Sequence, residues 1–257
     1  MRVVFPADYF AVREPDAAFA EQAALFAGLG WPVSTFAFGG DRRFRPALEA
    51  GEAVLYRGWM LNVDAYRAFG DAVVGAGARL WTPLDAYLSA HHLPRWAPLL
   101  ADVTAETVCF PDPGEVRAGL ERLGWERYFV KDFVKSLKTG AGSVITRPEQ
   151  AEELMARMTQ FRGEIEGGVC VRRFEAFVDG TESRFFVRDG QAFAAGGGPV
   201  PELVRAVAGR VPSRFFSVDV ALRSDGAWRV VEVGDGQVSD LVGWTVPQFA
   251  AVWEGVT

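Results

Sequence analysis

Two acids near the C-terminus, Asp219 and Glu232, lie in apolar, β-branched runs on either side of an Asp225-Gly226 pair. Asp-Gly between such runs predicts a two-residue hairpin loop, because both residues tolerate positive φ. Counting back from that loop sets Asp219 directly opposite Glu232. Facing like charges destabilise a sheet. In an apolar hairpin the repulsion calls for a proton or a cation, and two carboxylates with nucleotide phosphates commonly hold Mg2+. The plainer alternative is an edge hairpin with two solvated acids. A second group of charges precedes them. Lys131, Lys135 and Lys138 cluster with the small-residue loop Thr139-Gly140-Ala141-Gly142-Ser143. Lys131 sits among aromatic neighbours, where an ammonium needs an anionic partner. Gly140 and Gly142 let the backbone approach phosphate oxygens, with Thr139 and Ser143 as further donors. The loop is not a Walker A sequence, and a solvated surface turn is its plain alternative.

Arg172, Arg173, Glu175, Glu182 and Arg184 alternate in sign along two predicted strands. A two-residue turn at Asp179-Gly180 would set Glu175 opposite Arg184. Such a pair is either a structural cross-strand contact or part of a cluster that places arginines over phosphates or an acidic second substrate. Arg57, in Arg57-Gly58-Trp59-Met60, follows a predicted strand at its carboxyl end, where α/β domains place ligands. It either touches the second substrate or stacks on Trp59. His91 and His92 are adjacent at a helix end with no third metal ligand near them. No Gly-x-Ser-x-Gly elbow, His-Glu-x-x-His helix or dinucleotide fingerprint occurs, so covalent nucleophilic catalysis has no candidate constellation.

The elements that must position these residues are legible in the periodicity. Arg2–Phe5, Trp31–Phe38, Ala53–Tyr56 and Arg79–Trp81 read as strands. Helices alternate with them, one capped by Asp16, one by Asp64, and one opened by Thr82-Pro83-Leu84-Asp85. That alternation predicts an α/β domain with a largely parallel sheet. Prolines at 94, 98, 111 and 113 punctuate the stretch after it, and a domain boundary is expected there. A short helix ending at Gly124, the strand Tyr128–Phe133, and a helix behind the capping box Thr146-Arg147-Pro148-Glu149 follow. The stripe Ala151, Leu154, Met155, Met158 and Phe161 marks that helix's core face. From Val169 onward, three Asp-Gly pairs predict an antiparallel meander.

The 257 residues suffice for a full core in one or two domains. A net charge of −6 argues against a mainly electrostatic nucleic-acid surface, leaving only a local basic groove. Cys109 and Cys170 are too few for a disulfide framework or a zinc cluster, and their apolar neighbours predict two buried, inert thiols. The start lacks a signal-peptide core and no apolar run is long enough for a membrane span, so a cytoplasmic protein is expected.

With these pieces in order, the chain resembles an ATP-grasp protein over about Thr104 to Asp240. The resemblance implies an α/β (α+β) class: an ATP-grasp fold with a pre-ATP-grasp α/β domain at 1–103, a small subdomain at 104–168, and an antiparallel C-terminal subdomain at 169–257. It implies that Lys131 and Lys138, with Lys135 as the rival of Lys138, hold ATP phosphates together with Gly140, Gly142 and Ser143. It places Arg172, Arg173, Phe174, Glu175 and Glu182 at the nucleotide, and gives Arg184, Arg173 and Lys138 the catalytic roles. Asp219 and Glu232 correspond to the Mg2+ carboxylates. The usual Glu-x-Asn ending is broken by Gly234, so Asp235 or Gln237 substitutes or one metal site is weaker. The arginine-rich hinge, Arg57-Gly58-Trp59-Met60 and Val233–Ser239 look most like the clade named for two arginines and a lysine. The implied activity is an ATP- and Mg2+-dependent carboxylate-amine, or carboxylate-thiol, ligase working through an acyl-phosphate. Its substrate would be a small molecule or peptide bearing a carboxylate, with an amine acceptor. A phosphotransferase on the same fold, or a nucleotide-binding module without turnover, are the alternatives.

Overall fold

A computed structural model of the chain describes residues 1–134, 143–162 and 165–256. In chain order the strands are β1 (Arg2–Pro6), β2 (Val33–Phe36), β3 (Phe44–Arg45), β4 (Ala53–Tyr56), β5 (Arg79–Leu80), β6 (Thr107–Phe110), β7 (Tyr128–Asp132), β8 (Val144–Ile145), β9 (Val169–Arg173), β10 (Ser183–Arg188), β11 (Gln191–Phe193), β12 (Phe215–Leu222) and β13 (Trp228–Asp235). The helices are α1 (Ala20–Gly28), α2 (Val63–Gly75), α3 (Leu84–His91), α4 (Leu93–Trp96), α5 (Val116–Leu123), α6 (Gln150–Arg162), α7 (Glu202–Ala208) and α8 (Val246–Ala251). Among the described residues no helix is long and apolar enough to cross a membrane.

The chain divides into two compact units, neither of them contiguous: residues 1–89, 184–218 and 234–257 form one, and residues 90–183 and 219–233 the other. In the first unit five strands run in the order β3-β2-β1-β4-β5. β1 is parallel to β2 and β4, β4 is parallel to β5, and only the edge strand β3 runs antiparallel. The largely parallel sheet follows from the strand-helix alternation, since each crossover helix covers a sheet face. One core layer gathers Val4, Val54, Tyr56, Tyr66 and Phe69. The other gathers Val3, Phe5, Phe26, Phe186, Phe215 and Trp253. The cap of α2 differs from expectation. Asn62 Oδ1 accepts from the Ala65 amide at 2.9 Å, while Asp64 sits in the first turn and pairs with Arg67 at 2.7 Å. An Asx cap two positions earlier satisfies an orphan amide of the first turn.

The second unit is built on an antiparallel sheet ordered β6-β9-β7-β8. β9, which the sequence pattern grouped with the C-terminal meander, lies between β6 and β7. Strand alternation gives this sheet two unlike faces. Val169 and Val171 of β9, Tyr128 and Val130 of β7, and Phe110 of β6 pack with Val116 and Leu120 of α5 and with Ala151, Leu154 and Met158 of α6. Ala151, Leu154 and Met158 of the predicted stripe are thus core and Met155 packs partly buried against them, while the Phe161 side chain lies outside the described residues. Its start is fixed by Gln150, whose side chain accepts from the Thr146 and Arg147 amides at 2.9 and 3.0 Å, one residue beyond the expected Glu149. The cysteines overturn their expectation. Cys109 and Cys170 are directly opposite on β6 and β9 and form a disulfide. Each looked like an inert thiol because residues 61 apart give no local sign of pairing. A further sheet runs β11-β10-β12-β13.

Candidate active site

The expected lysine and the expected metal acid meet. Lys131, on β7, is buried, and its Nζ lies 2.6 Å from Glu232 Oε1 on β13. The pairing satisfies the anionic partner that a lysine among aromatics requires. Arg172, two residues along β9 from Cys170, lies on the same sheet face as Lys131, because Cys170 is directly opposite Lys131. Its Nη1 donates to the Val231 carbonyl and its Nη2 to Thr104 Oγ1, both at 2.6 Å. Burial pushes its guanidinium down to about 10, against the opposing pull of Glu232 and Glu175. Arg172 thus ties β9 to β13, with its Nη donors engaged by the protein itself.

The hairpin that carries the two acids does not close as expected. Arg223 N donates to Ala227 O and Gly226 N to Arg223 O, both at 2.8 Å, so the loop has three residues, Ser224 to Gly226. Gly226 takes φ +88°, the left-handed conformation that such a turn demands. Next to this turn the register is shifted by one from a two-residue loop. At the other end Gly236 N donates to Phe215 O at 3.2 Å, in the register that a two-residue loop would have set. β13 therefore carries one extra residue between the two ends. The alternation of burial along β13 slips at Val231–Glu232. Bulges of this kind re-aim side chains beside active sites. The turn therefore does not supply the register from which Asp219 was expected opposite Glu232. Asp219 is buried and Glu232 half-buried.

Gly234, in the place of the usual Asn, would hold a side chain only if its neighbours gave way by a few tenths of an ångström. A Cβ there would stand 3.0 Å from Ser239 Oγ and 3.2 Å from Ser217 Oγ, and those two hydroxyls bond each other at 2.7 Å. Neither serine was singled out from sequence, since each reads as an ordinary strand or loop hydroxyl. Asp235 and Gln237, the expected substitutes, are fully buried. Asp235 Oδ1 accepts from the Gln237 amide and from Gln237 Nε2, both at 3.0 Å. Burial pushes the Asp235 carboxyl up to about 8, against the Gln237 hydrogen bonds and the Arg57 charge. Its Oδ1 is thus engaged by Gln237, while the buried Oδ2 has no hydrogen-bond partner among the described residues. Gln237 also donates to Tyr66 OH at 2.9 Å and accepts from the Tyr56 amide at 3.1 Å. Among the described residues no group of three His, Cys, Asp or Glu is placed to hold a metal. The remaining donor set, Asp219 and Glu232, suits Mg2+, which needs only one or two carboxylates when phosphates supply the rest.

Arg57 is buried rather than poised at a ligand surface. Its Nε donates to Gln22 Oε1 at 2.7 Å, and its Nη1 to the carbonyls of Gln237 and Ser239 at 3.0 and 2.7 Å. It does not stack on Trp59; its guanidinium lies 4.7 Å from the Phe249 ring centroid. Burial lowers its pKa to about 10, against the Asp240 charge. At the carboxyl ends of β1 and β4 it is Tyr9, Phe10 and Trp59 that are exposed, with Trp59 Nε1 donating to Asp16 at 3.2 Å.

The hinge charges also pair differently. Glu175 lies beyond the end of β9 and accepts from Arg223 at 2.9 Å and Arg229 at 3.1 Å, not from Arg184. Arg184 Nη1 donates to the Asp240 carbonyl at 2.8 Å. Arg173, Phe174 and Glu175 border a cavity of about 450 Å3 with Glu106, Arg223 and Arg229. Arg173 is mostly exposed, 3.4 Å from Glu106, and Arg127 stacks on the Phe174 ring at 3.6 Å. Glu182 is exposed. Ser143 is buried, and its carbonyl accepts from the Val130 amide at 2.8 Å. Lys135, Lys138, Gly140 and Gly142 lie outside the described residues.

Solved structures resemble this one across nearly its whole length. The D-cycloserine synthetase DcsG is 17% identical, covers 98% of both chains, and has a TM-score of 0.65. A RimK domain ATP-grasp protein from Sphaerobacter thermophilus is 17% identical over 98% of this chain and 99% of its own, with a TM-score of 0.64. The ATP-grasp ligase PsnB, complexed with minimal precursor, Mg and ADP, is 16% identical over 94% of this chain and 90% of its own, at a TM-score of 0.56. No curated protein matches the sequence. The family model described as ATP-grasp domain, R2K clade family 3, matches residues 121–255. That stretch holds Lys131, the hinge, both acids and the buried Asp235–Gln237 pair, and the chain belongs to this ATP-grasp family.

Proposed function

We propose that this chain is an ATP- and Mg2+-dependent ligase that joins a carboxylate to an amine through an acyl-phosphate. The observation that carries the reading is the contact of Lys131 with Glu232 inside the family-matching residues. A substrate carboxylate oxygen would attack the γ-phosphorus of ATP and release ADP, and the amine would then displace phosphate from the acyl carbon. Neither step needs a protein nucleophile, which agrees with the absence of a nucleophilic constellation in the sequence. Mg2+, when bound, would supply positive charge that offsets the phosphates. Asp219 and Glu232 are the residues to hold it. Lys131 would place a fixed positive charge at the phosphates, in a buried setting where it acts more strongly than in water. Arg173, the exposed arginine of the hinge, is the better candidate than Arg172 for contact with nucleotide or substrate, and Arg184 keeps its proposed catalytic role. Lys138, with Lys135 as its rival, and the glycines 140 and 142 would close over the triphosphate.

The carboxylate substrate is proposed to be a small molecule or a peptide, in keeping with structural relatives that include a D-cycloserine synthetase and the ligase PsnB complexed with precursor peptide PsnA2. Arg57 is no longer its proposed contact, because its guanidinium is spent on internal carbonyls. A second reading, a nucleotide-binding module without turnover, is favoured by Gly234 and by the commitment of Asp235 to Gln237. One experiment separates the two. The protein is incubated with ATP, Mg2+, a panel of amino acids and peptides, and hydroxylamine, which traps acyl-phosphates as hydroxamates. Hydroxamate with stoichiometric ADP supports the ligase. ADP binding by calorimetry without hydroxamate or ADP release supports the module, and no ADP binding overturns both.

A further inference from the structure

We propose that the Cys109–Cys170 disulfide is a redox switch that sets the charge available at Lys131, and so the affinity for nucleotide. Cys109 of β6, Cys170 of β9 and Lys131 of β7 are consecutive partners across three strands. Directly opposite residues project from the same face of a sheet, with Cβ atoms about 5 Å apart. The disulfide therefore lies beside Lys131, on the face from which the ammonium reaches Glu232. The other face is occupied by Val169, Val171, Val130 and the core behind them. The inference rests on the nucleotide reading of the Lys131 site. It adds a control that the reading does not contain.

The two sulfurs differ in access. β6 is an edge strand and Cys109 is half-buried, whereas Cys170 is fully buried on the central strand β9. An external dithiol would attack Cys109 Sγ as its thiolate. The Cys109–Cys170 bond breaks, and Cys170 departs as a thiolate beside the Lys131 ammonium, which favours that charge. The second thiol of the reductant then resolves the mixed disulfide at Cys109. The balance is one protein disulfide and one dithiol giving the Cys109 thiol, the Cys170 thiolate, one proton released to solvent and one oxidised reductant. The Cys170 thiolate pairs with Lys131 and repels phosphate, so the reduced protein holds nucleotide less tightly. The disulfide is positioned to report its redox state to the site.

The test uses the intact protein and ADP with Mg2+ as the probe. Calorimetric titrations compare the protein in its oxidised form, defined by resistance to iodoacetamide, with the protein after dithiothreitol. The expected result is about tenfold weaker ADP binding on reduction, the loss of one charge-assisted contact. Cys109→Ser, on the half-exposed edge, should bind ADP with one affinity under both conditions. Cys170→Ser should do likewise, so the test survives if either variant fails to fold. Equal ADP affinity of the oxidised and reduced wild-type protein overturns the switch and leaves the nucleotide reading standing. A dithiothreitol effect of wild-type size in either serine variant also overturns it. Binding of ADP in neither redox form overturns the nucleotide reading itself.

Discussion

Lys131 Nζ and Glu232 Oε1, 101 residues apart in the chain, lie 2.6 Å from each other. The lysine is buried and the glutamate half-exposed, so removing the acid leaves a poorly solvated ammonium. We expect Glu232→Gln to lower stability by about 1–2 kcal/mol, discounted for the exposure of Glu232. The Lys131→Met, Glu232→Gln double variant should recover much of that loss, because neither uncompensated charge remains. Each single variant should reduce Mg2+-dependent ATP turnover by at least about a hundredfold. Thermal melts and ADP release measure the two effects, and retained turnover in Glu232→Gln counts against its metal role.

Asp235 predicts a pH dependence of stability with a defined sign. Its carboxyl is pushed by burial from 3.8 to about 8, so the native state keeps a proton that the unfolded state releases. The stabilisation is whole below the unfolded value and is lost as pH rises through the folded one. Between roughly pH 4 and pH 8 the wild type should lose about 1.4 kcal/mol per pH unit relative to Asp235→Asn, which cannot titrate. Denaturant melts of both proteins across that range provide the difference. A flat difference would mean that Asp235 is ionised in the folded protein.

Arg57 separates a structural from a substrate role. Its bonds to Gln22 and to the carbonyls of Gln237 and Ser239 predict that Arg57→Ala destabilises the protein by about 3 kcal/mol, leaving buried acceptors without donors. Arg57→Lys should rescue little, because one ammonium cannot reproduce the fork. If turnover can be measured, KM for the carboxylate substrate should stay within about twofold in Arg57→Lys. A large rise in KM at unchanged stability would restore Arg57 to the substrate site.

Gly234 tests what became of the missing Asn. Gly234→Asn alone should cost about 1–3 kcal/mol, since its Cβ would crowd the Ser239 and Ser217 hydroxyls. Adding Ser217→Ala and Ser239→Ala removes both clashes. In that triple variant ADP binding should reach half-saturation at lower Mg2+ concentration, as an amide oxygen joins the two carboxylates. An unchanged Mg2+ requirement would show that the amide does not reach the ion.

The sequence by itself determined the kinds of elements and most of their cores. The stripe along α6 and the β1–α1–β2 alternation are chain-local signals, set by periods of 3.6 and 2, and Ala151, Leu154, Met158, Val3 and Phe5 are buried accordingly. It also picked out Lys131, Asp219 and Glu232, because a charge in an apolar strand must find a partner wherever the strand lies. It could not say which partner. Arg57 reads as a ligand arginine until Ser239, 182 residues away, supplies a carbonyl to it. Asp235 reads as a metal acid until Gln237 and full burial neutralise it. The disulfide needed the register of β6 on β9, and the three-residue turn at Ser224–Gly226 with its extra residue in β13 needed the folded hairpin. Periodicity records which face a residue takes; only tertiary structure decides what stands opposite, since burial and pairing depend on segments remote in the chain.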